Sequence, residues 1–135
     1  MKTFISILII LIFSTVQSQK TICFNEKGIK GIIFTKEYFA NNKQSFSPSI
    51  NDIREIEKQI KIKGENFSNY YRQYIGRNVA KKEIIAQLLP KSRIKSYHNW
   101  NKSYIYIQDD TEVRYIYYDL KTKKISIKPK ESFGG

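Results

Sequence analysis

Phe46-Ser47-Pro48-Ser49-Ile50-Asn51-Asp52-Ile53-Arg54-Glu55-Ile56-Glu57-Lys58-Gln59-Ile60 is the stretch that decides how this chain is read. Ile50, Ile53, Ile56 and Ile60 recur at helical spacing, so they line a single apolar stripe. Ser47 is placed to cap the helix, with Pro48 at the first position, where a missing N–H costs nothing. Asp52 and Glu55 precede Lys58, Lys61 and Lys63, the charge order that the helix dipole favours, and Gly64 supplies a stop. The pattern predicts one amphipathic helix over 48–63.

Downstream the period changes from helical to alternating. Tyr70–Gly76, Glu83–Leu89, Tyr104–Ile107, Val113–Tyr118 and Lys124–Ile127 all read as strands. The connections around Asp109-Asp110-Thr111 and Lys121-Thr122-Lys123 are hairpin-like, and short connections imply antiparallel neighbours. Pro90–Lys102 reads as a basic loop carrying His98 and Trp100. Upstream, Thr21–Phe24 and the turn into Ile32–Phe34 suggest two short strands, with a loop at Asn41–Ser45. The expected fold is α+β, with an N-terminal amphipathic helix packed on a four- to five-stranded antiparallel meander sheet. The expected organisation is a signal peptide at 1–18, an N-terminal extension with short strands at 19–45 and a helix-on-sheet domain at 46–135.

The first residues form a separate unit. Met1-Lys2-Thr3 is a short positive segment, Phe4–Phe13 an apolar run, and Val16 and Ser18 offer small side chains at a cleavage site after Ser18. About ten apolar residues fall short of the roughly 20 needed to span a bilayer. The pattern predicts a cleaved secretory signal and a periplasmic or secreted protein, touching a membrane only through the signal if it stays uncleaved. Lys20-Thr21-Ile22 before Cys23 lacks the small residue of a lipid-attachment site.

Several of these residues together resemble a group of small uncharacterised exported proteins from Bacteroidetes-type bacteria: FSPSINDIREIEKQI, YYRQYIG, the isolated Trp100 and the terminal YYDLKTKKISI. The terminal hairpin is also similar to the ends of PepSY-like and cystatin-like domains, with Thr122-Lys123 where Thr-Gly is the commoner form. The resemblance spans about residues 46–135. It implies a sheet wrapped on one helix and transfers no catalytic residue.

Composition narrows the chemistry. The chain has 135 residues, 24 Lys+Arg against 12 Asp+Glu (net +12), one His and one Cys. Cleavage after Ser18 would remove one lysine, so 24 − 1 = 23 basic residues would face 12 acidic ones in a 135 − 18 = 117-residue chain. One cysteine excludes an internal disulfide framework, and with one histidine it excludes the usual Cys/His zinc sites. No spacing brings Cys23 to His98 as nucleophile and base, and no cofactor motif is legible. Asp109, Asp110, Glu112 and Asp119 form the densest acidic group, but a hairpin turn accounts for Asp109 and Asp110 without a metal.

The aromatic residues suggest more. Nine of the ten tyrosines follow the helix, and in 113–118 the residues Val113, Tyr115 and Tyr117 share one face while Arg114, Ile116 and Tyr118 share the other. Such strands suit a half-buried sheet and equally a recognition surface interleaved with cations. Two basic clusters stand out: Lys81, Lys82, Lys91, Arg93 and Lys95, and Lys121, Lys123, Lys124, Lys128 and Lys130. Solvated lysines explain either cluster, yet the net charge creates a field attractive to polyanions. The expected function is an exported non-enzymatic binding module that recognises an acidic protein or anionic envelope glycan through a basic, tyrosine-rich sheet face. Its candidate binding residues are Arg72, Tyr74, Trp100, Tyr104, Tyr106, Arg114, Tyr115 and Tyr117. Nucleic acid is a poor fit for an exported protein. The alternatives are a small secreted hydrolase or toxin without a recognisable motif, and an inhibitor or immunity-type partner.

Overall fold

A computed structural model describes residues 19–107 and 112–128. The predicted signal segment, the predicted turn at Asp109-Asp110-Thr111 and Lys130 lie outside the described residues. Among the described residues, seven strands form one mixed sheet: β1 (Thr21–Glu26), β2 (Ile29–Phe34), β3 (Ser45–Phe46), β4 (Tyr70–Asn78), β5 (Lys82–Pro90), β6 (Arg114–Asp119) and β7 (Lys124–Lys128). The order across the sheet is β1-β2-β4-β5-β6-β7, with β3 also pairing to β4. Among the described residues there is one α-helix, α1 (Ile50–Ile62), and it packs on one face.

This corrects the expected helix on a four- to five-stranded antiparallel meander. The helix is not N-terminal to the sheet, because β1, β2 and β3 precede it and join the same sheet. The sheet is not purely antiparallel either, since β2 pairs with β4 in parallel, Gly31 opposite Arg72 through Phe34 opposite Ile75. The connection from Phe34 to Tyr70 contains α1, and a parallel pair requires such a long crossover. Alternation fails as a signal in β2 because both of its faces are covered. Ile33 packs under α1, while Ile32 and Phe34 pack on the opposite side, so the run reads as continuous apolar sequence.

The β1–β2 hairpin closes through Lys27 (φ 52) and Gly28 (φ 78), two positive-φ residues in a row as a two-residue type I′ turn demands. The cap of α1 falls two residues later than the sequence pattern suggests. Ser49 Oγ accepts from the Asp52 N–H at 3.1 Å, while Ser47 Oγ is engaged by the Lys36 N–H at 3.0 Å. Ile53, Ile56 and Ile60 are buried against Phe24, Ile33, Ile84, Leu88, Ile116, Tyr118 and Ile125. At the far end, Gln59 ties the helix to the last hairpin by donating to Lys123 O (2.6 Å) and accepting from the Ile125 N–H (3.1 Å).

The second face of the sheet is covered as well. Residues 91–107, beginning with a 3-10 helix at Lys91–Ser96, fold across it. Tyr97, Trp100, Ile105 and Ile107 pack with Ile85, Leu89, Val113, Tyr115 and Tyr117. Tyr104 closes on Phe34, its ring edge-on at 5.6 Å. The predicted strand Tyr104–Ile107 is therefore irregular chain lying on the sheet, not a member of it.

Candidate functional site

Side-chain direction along β4 separates three environments. Arg72 and Tyr74 point towards α1, Gln73 points into the opposite interior, and Tyr71 lies at the sheet's end. Arg72 is 3% exposed and meets Glu57 of α1 as a bidentate pair, Nη2 to Oε1 at 3.0 Å and Nε to Oε2 at 3.4 Å. Its Nη1 donates to Phe67 O and Tyr70 O, each at 2.7 Å. Tyr74 is fully buried, and its hydroxyl donates to Glu57 Oε2 at 2.9 Å. Burial, reinforced by the Glu57 charge, pushes the Tyr74 phenol well above its usual range. Such a pair survives burial only because every polar group has a partner. Arg72 and Tyr74, expected on a binding surface, are the polar seam between helix and sheet.

The opposite interior is organised by two glutamines. Gln73 and Gln87 lie directly opposite each other on β4 and β5. Gln87 Nε2 donates to Gln73 Oε1 and to Ile105 O, both at 2.9 Å. Gln73 Nε2 donates to Trp100 O (2.6 Å) and Ser103 O (2.9 Å), and its Oε1 accepts the Ile105 N–H at 3.1 Å. The Tyr104 N–H donates to Tyr38 Oη at 3.1 Å. Three carbonyls and two amides of residues 100–105 are thus satisfied by side chains instead of a neighbouring strand. This is why an alternating, aromatic stretch stays out of the sheet.

The tyrosine-rich face is consequently an interior. Tyr104, Tyr115 and Tyr117 are buried, and Trp100 is half-buried. Arg114 is half-buried on β6, opposite Leu88, and Tyr106 stands out at 74% exposed. The expected open sheet face carrying these residues is not present, because residues 91–107 occupy it.

Two aromatic rings and two lysines gather at the end of the sheet where β4 begins and β5 finishes. Tyr71 and Trp100 stack with ring centroids 4.4 Å apart and planes 16° from parallel. Lys91 Nζ lies 5.2 Å and Lys30 Nζ 6.0 Å from the Tyr71 centroid, within cation–π range. Both lysines are exposed and both rings half-exposed. Lys91 also borders an open depression of about 370 Å³ whose walls include Tyr70, Pro90, Glu112 and Arg114. The register brings Lys128 to the same end, since Tyr115 pairs with it and Leu88 with Arg114.

No family model matches this chain, and no curated protein or solved structure is similar to it.

The predicted basic clusters are redistributed by the strands. Lys82 and Lys91 flank β5, a separation of roughly 30 Å at about 3.3 Å per residue, so Lys81 and Lys82 stand apart from Lys91, Arg93 and Lys95. Lys81 instead meets the last hairpin, Nζ to Asp119 Oδ2 at 3.4 Å. Asp119 Oδ1 accepts the Lys121 and Thr122 N–H groups at 2.8 and 3.3 Å, and these bonds hold its carboxyl below the usual range. Asp119 thus serves the turn. Cys23 and His98 are exposed, on edge strand β1 and in the covering segment respectively. Among the described residues, no group of three or more His, Cys, Asp or Glu is arranged to hold a metal. Sequence reasoning passed over Tyr71, Lys30 and Lys91 as site residues. The doublet Tyr70-Tyr71 was the available signal, because alternation along a strand must send one of the two to each face.

Proposed function

We propose that this protein is an exported, non-enzymatic binding module for an acidic protein or anionic glycan, acting in the periplasm or outside the cell. The observation that carries this reading is the pair of exposed ammonium groups beside the Tyr71–Trp100 stack. Lysines held near aromatic rings combine long-range attraction for an anion with flat apolar area at the point of contact. The net charge, +12 for the full chain and 23 − 12 = +11 after cleavage, adds a field that raises the encounter rate with polyanions. The secretory pattern of residues 1–18 supports the location, and it turns the choice of polyanion away from nucleic acid. The likeness of the terminal hairpin to PepSY-like and cystatin-like domains belongs to this reading and assigns no residue a role.

The test is retention of the mature protein on resins carrying polyglutamate or polygalacturonate, compared with an uncharged resin. Retention on a polyanion that falls steeply with salt, and falls further when Lys30 and Lys91 are changed to Gln, is the expected result. Equal retention on the uncharged resin contradicts the reading.

A further inference from the structure

We infer that Lys30, Tyr71, Lys91 and Trp100 form a subsite for a carboxylated sugar ring, which makes the ligand an acidic polysaccharide. This rests on the proposed anion-binding role and specifies its chemistry. Three features of the site favour a uronic acid over an acidic peptide. First, half-exposed Tyr71 is backed on one face by the stacked Trp100 ring, centroids 4.4 Å apart, and offers its other face as flat apolar surface. A pyranose ring has an apolar C–H face that matches such a surface, whereas Asp and Glu side chains have none. Second, the ammonium groups sit 5.2 and 6.0 Å from the same ring, so a carboxylate borne on a sugar lying against it comes within their reach. A charge-assisted bond to a carboxylate is stronger than either exposed cation–π contact it displaces. Third, an open depression of about 370 Å³ begins at Lys91, leaving room beyond that cation for a neighbouring sugar residue.

The rings are also held in place before any ligand arrives. Trp100 O is fixed by Gln73 Nε2 at 2.6 Å, and Tyr71 belongs to a central strand paired on both sides. A platform ordered in advance loses little further entropy on binding.

The experiment is calorimetric titration of the full mature protein with tetragalacturonate, cellotetraose, tetraglutamate and a short oligodeoxythymidine. Tetragalacturonate is expected to bind while the neutral cellotetraose does not. Tyr71→Leu, and separately Lys30→Gln with Lys91→Gln, are each expected to weaken it about tenfold, the scale of one ring contact or a pair of ion contacts. The lysine variants lie on the surface and keep the test valid if the Tyr71 variant folds poorly. Tetraglutamate binding as tightly as tetragalacturonate, with no effect of Tyr71→Leu, overturns the sugar subsite but leaves the anion-binding role standing. Tighter binding of the oligonucleotide overturns the sugar assignment too. Failure of all four probes to bind contradicts the subsite and the proposed function together.

Discussion

Gln73 and Gln87 face each other across β4 and β5 with Nε2 of Gln87 2.9 Å from Oε1 of Gln73, and between them they hold three carbonyls and one amide of residues 100–105. Both are buried, at 0% and 1% exposure. Two amides at the centre of a sheet therefore close one of its faces. They do this by offering the covering segment the hydrogen bonds that a further strand would otherwise provide.

Removing either amide should release that segment. Gln73→Leu leaves the Trp100 and Ser103 carbonyls and the Ile105 amide without their partner, a loss of about 2–4 kcal/mol from unmet buried polar groups. Denaturant unfolding measures the loss. Amide exchange at Ile105, accelerated well beyond that of β5 amides, locates it. A variant as stable as the parent, with Ile105 still protected, would show that apolar packing alone holds the segment.

The helix face makes the opposite kind of prediction. Glu57→Ala strands the Arg72 guanidinium in the interior, and removal of one partner from such a pair costs about 3–5 kcal/mol. Replacing both residues by methionine removes the charges together and should cost less than either single change, measured by thermal or urea unfolding. Simple additivity of the two single changes would mean the pair is not coupled.

Tyr74 and Asp119 contribute to the alkaline and acid limits of stability, beside Tyr106 and Tyr118, also raised, and Glu26, also lowered. Tyr74 has its phenol raised by burial and by the Glu57 charge, so the folded state keeps a proton that the unfolded chain surrenders near pH 10. Its contribution is complete below about pH 10 and is lost as pH rises further, and Tyr74→Phe should flatten that alkaline limb. Asp119 has its carboxyl lowered by the Lys121 and Thr122 amides, so its contribution is present above the unfolded value near 3.8 and is lost as pH falls below it. Asp119→Asn should flatten the acid limb. Unfolding free energy measured across pH separates the two effects.

A turn residue offers a stabilising change. Lys123 occupies the left-handed region at φ 57, the position that glycine fills without strain, and the sequence departs there from the commoner Thr-Gly turn. Its side chain is exposed, and Gln59 contacts only its carbonyl. Lys123→Gly should raise stability by roughly 0.5–1 kcal/mol, less whatever glycine's freedom returns to the unfolded chain. Thermal unfolding at fixed pH and salt reads the difference.

Local patterns were the most legible part of this chain. The isoleucine stripe marks α1 to within two residues at its start, and Tyr70–Gly76, Glu83–Leu89 and Lys124–Ile127 all lie inside observed strands. Alternation in 113–118 also divides correctly, with Tyr115 and Tyr117 on one side and Ile116 and Tyr118 on the other. Long-range pairing was not legible. Nothing in Gly31–Phe34 announces that it runs parallel to Arg72–Ile75, because that pairing depends on where the α1 crossover sets the chain down. Tyr104–Ile107 misleads for a related reason. Its pattern is that of a strand, but the residues that claim its backbone, Gln73 and Gln87, sit far away in sequence and look like ordinary polar positions. Without that closure the tyrosines read as an exposed face, and Tyr71, on which the candidate Trp100 stacks, passes unnoticed.

The most direct test of the proposed subsite is an amide and side-chain NMR titration of residues 19–135 with tetragalacturonate. The account predicts shifts concentrated at Lys30, Tyr71, Lys91 and the Trp100 indole, with little change at Lys58, Lys61 and Lys63 on α1. Shifts spread evenly over the surface lysines, or centred on α1, would contradict it.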